Sequence, residues 1–412
     1  MTLFSPLFSP QAGLEDPTVP ISSSSILEFL GLEKTATGKN VTEKTALGMA
    51  AVWRAVNVSA NVPASLPLHA YEPDGDARKP ATGYAADLLD DPHPDMTPFE
   101  LWQTVYFHRR LWGNAYLRPL RNQLDEAAEF WPIHPARVKA GRTSDTGKKI
   151  YAIDGGKEIH TDETLLHLPG IGYDGICGVS PVRVARQSIG LGLAAEEYGA
   201  KLFGNGSLAT GVLQTEQRLT PEQADQLHSR WKAKRSGLGS AHETIVLDSG
   251  AKFHQLTIPP EDAQFLESRR FQIAEVCRWF GIPPFLMFET EKSTSWGTGL
   301  EQQALGWVMI DLRPDLVGME QRITKFFKRE AKRRRKPPVK TYARYSIEGL
   351  LRGDSAARAA FYTSMWNMGA LSTDEIRAYE ELPSVPGGDV RYRPLNMGEL
   401  GSFDTQAQGV TP

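Results

Sequence analysis

The sequence predicts an α+β fold, and helix signals together with strand signals support it. Apolar residues recur at helical spacing from Ala46 to Val62, and Thr97-Pro98-Phe99-Glu100 is a capping box with proline at the first helical position. Short strand-like segments follow, around Trp131-Pro132-Ile133 and from Leu165 to Leu168. Residues 41–179 are therefore predicted to form a mixed helix-and-sheet domain.

The composition is that of an ordinary globular protein without a strong charge bias. Of the 412 residues, 41% are hydrophobic, 23% charged and 9% aromatic. Lys and Arg number 46 against 49 Asp and Glu, which gives a net charge of -3. This balance argues against a protein that coats nucleic acid, because such proteins are usually basic.

Cysteine usage and the lack of apolar runs indicate the compartment. Cys177 and Cys277 are the two cysteines, which is too few for a disulfide framework and favours a reducing environment. The sequence shows no secretion signal and no apolar run of about 18 residues, the length of a membrane span. We therefore expect a soluble protein that is made in a cytoplasm.

Two helices in the middle of the chain are predicted to pack closely. The first begins at Ser180-Pro181 and ends at Gly204-Asn205-Gly206, and the second runs from about Asp262 to Phe280 and ends at Gly281. Small residues suit the first helix for close packing against another helix, namely Gly190, Gly192, Ala194, Ala195 and Gly199.

Between these helices, residues 207–259 are predicted to form a compact insert. A strand near Gly211-Val212-Leu213 precedes a second capping box, Thr220-Pro221-Glu222-Gln223. Asp248-Ser249-Gly250 then marks a hairpin.

The last part of the chain is predicted to be helical, with one strand. A long helix carries apolar residues at helical spacing from Leu300 to Phe326-Phe327 and has a kink at Pro314. A strand lies near Tyr342 to Ile347, and a capping box at Ser372 to Glu375 opens the last helix.

A glycine motif leaves a nucleotide-binding alternative open. Gly170-x-Gly172-x-x-Gly175 matches the dinucleotide fingerprint and lies between a strand and a helix. The helix, however, starts five residues after the last glycine, and the acids about twenty residues on, Glu196 and Glu197, fall within a helix. A structural loop is the favoured interpretation.

Metal binding and surface adhesion are two further alternatives. Asp87, Asp90, Asp91 and His93 could be drawn as a metal cluster, but the flanking prolines favour a solvated loop. Arg352-Gly353-Asp354 spells an adhesion tripeptide, although Asp354 also fits the cap of the next helix. No complete catalytic constellation is recognisable from spacing, so no catalytic residue, metal or cofactor is expected.

A basic run near the end of the long helix is the sharpest charge feature. It is open to two interpretations, a phosphate-contacting patch or a solvated helix C-terminus where cations are favoured. The candidate DNA or capsid contacts in it are Lys325, Lys328, Arg329, Lys332, Arg333, Arg334 and Arg335.

The order of several short segments resembles the portal proteins of tailed phages of the Hong Kong 97 type. No single segment is specific, but the ordered set extends from about residue 45 to residue 390. The segments are Met96 to Trp102, Gly113 to Tyr116, Trp131 to Pro135, Gly178 to Pro181, Phe203 to Gly206, Gln264 to Arg269, Phe280 to Pro284, Trp296 to Gln302 and Leu351 to Asp354.

This resemblance implies a portal fold that assembles as a cyclic dodecamer around a DNA channel. The implied parts are a wing, two stem helices, a clip, a tunnel loop and a helical crown. In chain order they are a flexible arm (1–40), wing (41–179), stem helix (180–206), clip (207–259), stem helix (260–281), tunnel loop (282–298), wing (299–345), crown (346–393) and flexible tail (394–412).

The resemblance also implies site residues. Those at the DNA channel are Lys292, Ser293, Thr294, Ser295 and Trp296 of the tunnel loop. Many relatives have a Tyr-Ser-Asn-like stretch before the Glu-Gln pair, where this chain has Trp296 to Gly299. Those expected to dock a motor or adaptor in the clip are Trp231, Lys232, Lys234 and Arg235.

The implied function is a structural DNA conduit at one vertex of the virion capsid, used for genome packaging and ejection. The implied partners are other copies of the chain, double-stranded DNA, the terminase motor, a head-tail adaptor and the major capsid protein, without a membrane. Assembly in the host cytoplasm is expected.

Overall fold

A computed structural model describes most of the chain. The described residues are 35–75, 77–144, 146–204, 211–214, 220–226, 229, 252–255, 262–289, 298–337, 339–347, 355–380 and 382–392. The chain divides into two compact units, with the boundary between Tyr345 and Ser346.

The first unit contains helices and short strands in mixed order. Its helices are α1 (Glu43–Ala46), α2 (Ala50–Ala64), α3 (Tyr84–Asp90), α4 (Pro98–Trp112), α5 (Pro181–Val184), α6 (Arg186–Gly204), α7 (Asp262–Phe280), α8 (Thr298–Trp307) and α9 (Arg313–Arg333). Its strands are β1 (Leu68–Asp74), β2 (Ala77–Pro80), β3 (Asn114–Arg121), β4 (Ala127–Ile133), β5 (Val138–Arg142), β6 (Lys149–Ile153), β7 (Glu158–Thr161), β8 (Leu166–Pro169), β9 (Gly211–Gln214), β10 (Lys252–Gln255) and β11 (Tyr342–Tyr345).

The described strands form small antiparallel sheets. Three sheets have the orders β11-β1-β2, β4-β3-β8 and β5-β6-β7, and β9 pairs with β10. Strand β11 joins β1 from the far end of the unit, with Tyr71 opposite Tyr342. The helix before β11 covers this sheet edge, because Thr324 Oγ1 accepts a hydrogen bond from Ala343 N (3.1 Å) and Glu320 Oε1 accepts one from Tyr345 N (2.9 Å).

The predicted helix starts are confirmed in detail. The Thr97 and Ser372 side chains form reciprocal capping boxes with Glu100 and Glu375, and Thr220 and Gln223 exchange the same pair of bonds. The second unit contains the helix opened by Ser372, α11 (Thr373–Tyr379), which follows α10 (Ser355–Asn367).

The packing of α6 assigns two of its predicted small residues to contacts within the chain. Helices α6 and α7 run antiparallel and pack with α2 in one apolar cluster. A methyl group on Gly192 would lie 2.8 Å from Met49 Cε, and one on Gly190 would lie 3.0 Å from Thr35 Cγ2. These two glycines therefore serve packing within the chain rather than contact with another helix outside it. Residue 35, assigned to the flexible arm, is likewise packed against α6.

The long helix is interrupted where a proline was expected to kink it. A π-helical turn, Val308–Leu312, separates α8 from α9, and Pro314 follows at the second position of α9. Because proline has no N–H, it cannot donate to the residue four positions back, which is Ile310 in this turn. The predicted irregularity is present, and it takes the form of a wider turn.

Helix α9 is fixed to α4 by an ion pair that is largely buried. Asp315 Oδ1 accepts from Arg109 (2.7 Å) and Asp315 Oδ2 accepts from Arg110 (2.9 Å). Burial alone would raise the pKa of Asp315, but the charges of the two arginines outweigh it and hold that pKa below its ordinary value. The ionised form of Asp315 therefore stabilises the folded state.

Replacing Asp315 by the isosteric Asn is expected to lower the free energy of unfolding by about 3 kcal/mol, because the buried Arg109 would lose its counter-charge. Urea unfolding at fixed protein concentration measures this change. Asp154→Asn, which removes an exposed pair with Arg137, is the matched control and should have little effect. Equal losses in the two variants would contradict the role given to burial.

The pH dependence of the same pair has a defined sign. Since the pKa of Asp315 is lowered by folding, its contribution to stability is complete above its pKa in the unfolded chain. The contribution is lost as the pH falls through the lower pKa of the folded state. Asp315→Asn should therefore remove part of the acid sensitivity of the wild-type chain.

Candidate functional site

The glycine-rich segment after β8 is a tightly packed loop. A methyl group on Gly172 would lie 2.0 Å from Cys177 O, and one on Gly178 would lie 2.0 Å from Gly113 O. Asn114 holds the loop, because its Oδ1 accepts from Gly178 N (2.7 Å) and its Nδ2 donates to Gly178 O (2.8 Å). Close approach of backbone to backbone therefore explains these glycines, as the structural interpretation predicted.

A buried polar network lies beneath this loop. Lys149 Nζ contacts His167 Nδ1 (3.0 Å) and donates to Ile176 O, while Tyr151 donates to Asp162 (2.5 Å). Burial lowers the pKa of Lys149 to about 8 and raises the pKa of Cys177 to about 11. The network joins β6 and β8 to the loop, and a thiol with a raised pKa is a poor nucleophile.

A cavity of about 480 Å³ lies beside the loop. Its walls include the aromatic rings of Trp112, Tyr116 and Tyr173. Glu43 and Arg183, which pair at 3.0 Å, also line it.

The acidic residues before α4 are spread over a helix and its flank. Asp87 and Asp90 belong to α3, and the buried His93 ring lies 4.4 Å from the ring of Trp131. His93 Nδ1 accepts a hydrogen bond from Asp95 N (3.0 Å). Within the described ranges, no group of three or more His, Cys, Asp or Glu side chains is arranged to hold a metal.

Three arginines of the basic run are committed to ion pairs within the chain. Arg329 pairs with Asp162 (2.8 Å), Arg333 with Asp125 (2.6 Å) and Arg334 with Glu126 (2.6 Å). The nearly inaccessible Glu330 accepts from both Arg333 and Arg121. These pairs tie the end of α9 to the β3–β4 hairpin and to the turn after β7.

The lysines of the same run are arranged differently. Lys325, Lys328 and Lys332 are exposed, and their spacing of three and four places them on one face of α9. No ion pair involves them among the residues that the structure describes. We call these three residues the lysine stripe. Arg335, just beyond the helix, is also exposed.

Several predicted site residues lie outside the described residues. These are the tunnel-loop set Lys292 to Trp296, the clip set Trp231, Lys232, Lys234 and Arg235, and the tripeptide Arg352-Gly353-Asp354. The elements next to the tunnel-loop set are described: a 3-10 turn, Pro284–Met287, precedes it and α8 follows it.

Apolar side chains exposed on helices were missed by the sequence analysis. On α6, Leu191 and Tyr198 are exposed on the face that also carries Ala194 and Ala195. Trp53, Phe288, Met309 and Ile310 are exposed elsewhere in the unit. Helical periodicity identifies an apolar face, but it does not say which apolar residues fall outside that face.

Comparison with known proteins identifies the class. The family description "Phage portal protein" matches residues 50–381. A probable portal protein of Streptomyces phage phiC31 is 32% identical over 89% of this chain and 82% of its own length. The portal protein of Enterobacteria phage HK97 is also 32% identical, over 86% of this chain and 83% of its own length. This chain belongs to the phage portal protein family.

Solved structures share the fold. An HK97-family portal protein from Corynebacterium diphtheriae superposes with a TM-score of 0.57 over 76% of this chain and 98% of that one, at 16% identity. The neck of a native gene transfer agent particle, computed with C12 symmetry, gives 0.54 over 82% and 91%, at 19% identity. None of the described helices is both long and apolar enough to cross a membrane.

Substitutions of the paired arginines and of the exposed lysines of the basic run are predicted to have different effects on stability. Arg333→Ala is expected to lower the free energy of unfolding by about 2 kcal/mol, because the buried Glu330 loses a charged partner. Lys328→Gln should change it by less than about 0.5 kcal/mol, since the side chain is exposed. Urea unfolding of the two variants in parallel measures this, and similar losses would contradict the division.

Proposed function

We propose that this chain is the subunit of a ring-shaped DNA conduit at one capsid vertex, used for genome packaging and ejection. The observation that carries the proposal is the 32% identity to the HK97 portal protein over most of both chains. The family is a structural one, so no catalytic residue or cofactor is assigned. Twelve copies are proposed because a similar fold occurs in a neck computed with C12 symmetry.

The proposed parts follow from the order of the elements. Helices α6 and α7 would be the stem, and β9 with β10 would belong to the clip between them. The three-stranded sheets, α4 and α9 would form the wing, and α10 and α11 the crown. Packing of α6 and α7 within one chain supports the stem assignment.

The exposed face of α6 suits contact between stems of neighbouring copies. Leu191 and Tyr198 are exposed on it, and Ala195 between them is small enough to let another helix approach. In this proposal the neighbouring copy approaches Ala195 rather than Gly192, because Met49 already occupies the space at Gly192.

The proposed DNA contacts are the tunnel-loop residues Lys292 to Trp296 and the lysine stripe. Lysines without ion pairs are available to phosphates, whereas the charges of the paired arginines nearby are already balanced by carboxylates. The stripe could alternatively meet an acidic surface of the major capsid protein.

Substitution of all three lysines by Gln separates these alternatives. It should reduce packaged DNA if the stripe contacts DNA, and procapsid incorporation if the stripe contacts the capsid protein.

The proposed protein partners are the terminase motor and later a head-tail adaptor, both at the clip. Its position between the two stem helices supports this, because an insert between paired helices lies at one end of the pair.

The proposed location is the virion vertex after assembly in the host cytoplasm. Adhesion through Arg352-Gly353-Asp354 would require a different, non-ring function.

The test of the proposed function is the size of the purified chain. Light scattering is expected to give about 550 kDa, since twelve copies of a 45.6 kDa chain close into a ring. A monomer at all concentrations would contradict the conduit, as would nucleotide hydrolysis that is lost on changing Gly172.

Two variants should separate the loop from the clip in one packaging assay. Deletion of residues 292–296 should leave rings and motor binding intact but reduce the DNA retained. Exchange of Lys232, Lys234 and Arg235 for Glu should leave rings intact but weaken motor binding, because opposite charges at a docking surface repel the partner. Lys79, Lys148 and Lys157 exchanged for Glu provide a control for net charge. Normal packaging by both variants would contradict both assignments.

A further inference from the structure

The cavity beside the glycine-rich loop has aromatic walls that contact neighbouring rings of the same chain. The ring of Trp112 lies 4.6 Å from the ring of His134, and Tyr116 stacks on His167 at 4.6 Å with 16° between the ring planes. Tyr173 also lines the cavity and is 71% exposed. An aromatic ring is therefore left uncovered at a cavity whose other walls are already packed.

The charged residues that line the cavity are two bases and one acid. Arg183 Nε donates to Glu43 Oε1 (3.0 Å), so the acid and one base balance each other. Lys139 is exposed and has no ion pair among the residues that the structure describes. Asp174 of the loop accepts from two backbone N–H groups of the same loop (2.7 and 3.1 Å). The cavity therefore suits a segment that carries apolar side chains together with a carboxylate.

The first described residues of the chain lie within reach of this cavity. Thr35 is buried against Gly190 of α6, and Ala36 N donates to Gln187 Oε1 (2.9 Å). Arg183 lines the cavity and precedes Gly190 by seven residues, a separation of about 10 Å along a helix. An extended chain covers about 3.3 Å per residue, so the residues just before Thr35 can span this distance.

Residues 26–34, which precede the described part of the chain, carry the side chains that the cavity suits. Ile26, Phe29 and Leu30 have the spacing i, i+3 and i+4 that places side chains on one face of a helical turn. A cavity of about 150 Å³ can hold one benzene ring. The cavity of about 480 Å³ therefore has room for these three apolar groups. The segment also has two acids against one base, namely Glu28, Glu33 and Lys34.

We infer that residues 26–30 dock in this cavity of their own chain, with Ile26, Phe29 and Leu30 against its aromatic walls. The docked segment covers Tyr173 and brings a carboxylate to Lys139. Burial of apolar surface favours this contact, at about 25 cal/mol for each Å² removed from water. The inference goes beyond the proposed function, because the contact lies within one chain and does not require a ring.

A second segment of similar pattern is less suited to the cavity. Phe4, Leu7 and Phe8 have the same spacing, but Pro6 and Pro10 disfavour helical backbone at the residues before them. No acid occurs among residues 1–14 of the sequence, and these residues are more than twenty positions from Thr35. This segment therefore serves as a matched control.

Labelling of a cysteine in the cavity wall tests the docking. Ala136, an exposed wall residue, is replaced by Cys in the full chain, and mass spectrometry of its peptide follows the rate of maleimide labelling. Replacement of Ile26, Phe29 and Leu30 by Ser should raise this rate about tenfold, because the segment then leaves the cavity. The same replacement at residues 4, 7 and 8 should leave the rate unchanged. Equal rates in all three proteins would overturn the inference.

Paired cysteines test whether the segment belongs to the same chain. Phe29→Cys combined with Ala136→Cys should give a linked peptide pair in the monomer band of a non-reducing denaturing gel after mild oxidation. Phe29→Cys combined with Leu124→Cys is the control and should not link, since Leu124 is exposed in the β3–β4 turn, at the far end of β3 from Tyr116. The native Cys177 and Cys277 are buried, and peptide mapping distinguishes them. Covalent dimers or larger multimers in place of the internal link would overturn docking within one chain.

The outcomes separate this inference from the proposed function. A wild-type chain that stays monomeric but protects residue 136 would overturn the conduit and leave the docking standing. Wild-type rings with an equally fast label in all three proteins would overturn the docking and leave the conduit standing.

Discussion

The position of α9 depends on one carboxylate, Asp315, held between two arginines of α4. The interaction is made near the start of the helix, and the Glu330 cluster repeats the principle near its end with Arg121 and Arg333. Between these two anchors, the buried Phe326 packs against Phe130 of β4, with 5.4 Å between the ring centres. Breaking either anchor would leave a buried charge without its partner, which is costly in free energy. Both ends of α9 are therefore fixed, and the helix has one orientation about its axis.

That orientation decides which basic residues remain available. The arginines point toward the β3–β4 hairpin and the turn after β7, where planar guanidinium groups match carboxylates well. The lysine stripe points away from these partners. The single basic run of the sequence therefore has two parts in the structure. Its arginines form ion pairs within the chain, and its lysines form an exposed charged face.

The sequence could predict features that depend on neighbouring residues only. The capping boxes at Thr97 and Ser372, and the helix end at Gly281 with its left-handed φ of +63°, are set by interactions within a few residues. Partners distant in sequence could not be predicted in this way. Gly192 faces Met49, and Arg333 faces Asp125, because of tertiary packing that no local pattern records.

The difference between local and tertiary interactions also explains why the exposed apolar side chains could not be predicted from the sequence. An exposed isoleucine on a helix has no local signature, since its neighbours Val308 and Leu312 are equally apolar. The π-helical turn adds to the difficulty, because one extra residue shifts the apolar face relative to a regular helix and carries Met309 and Ile310 outward. In the proposed conduit, a net charge of -3 per chain would keep DNA from adhering along the channel, and the exposed lysines would be its few points of contact.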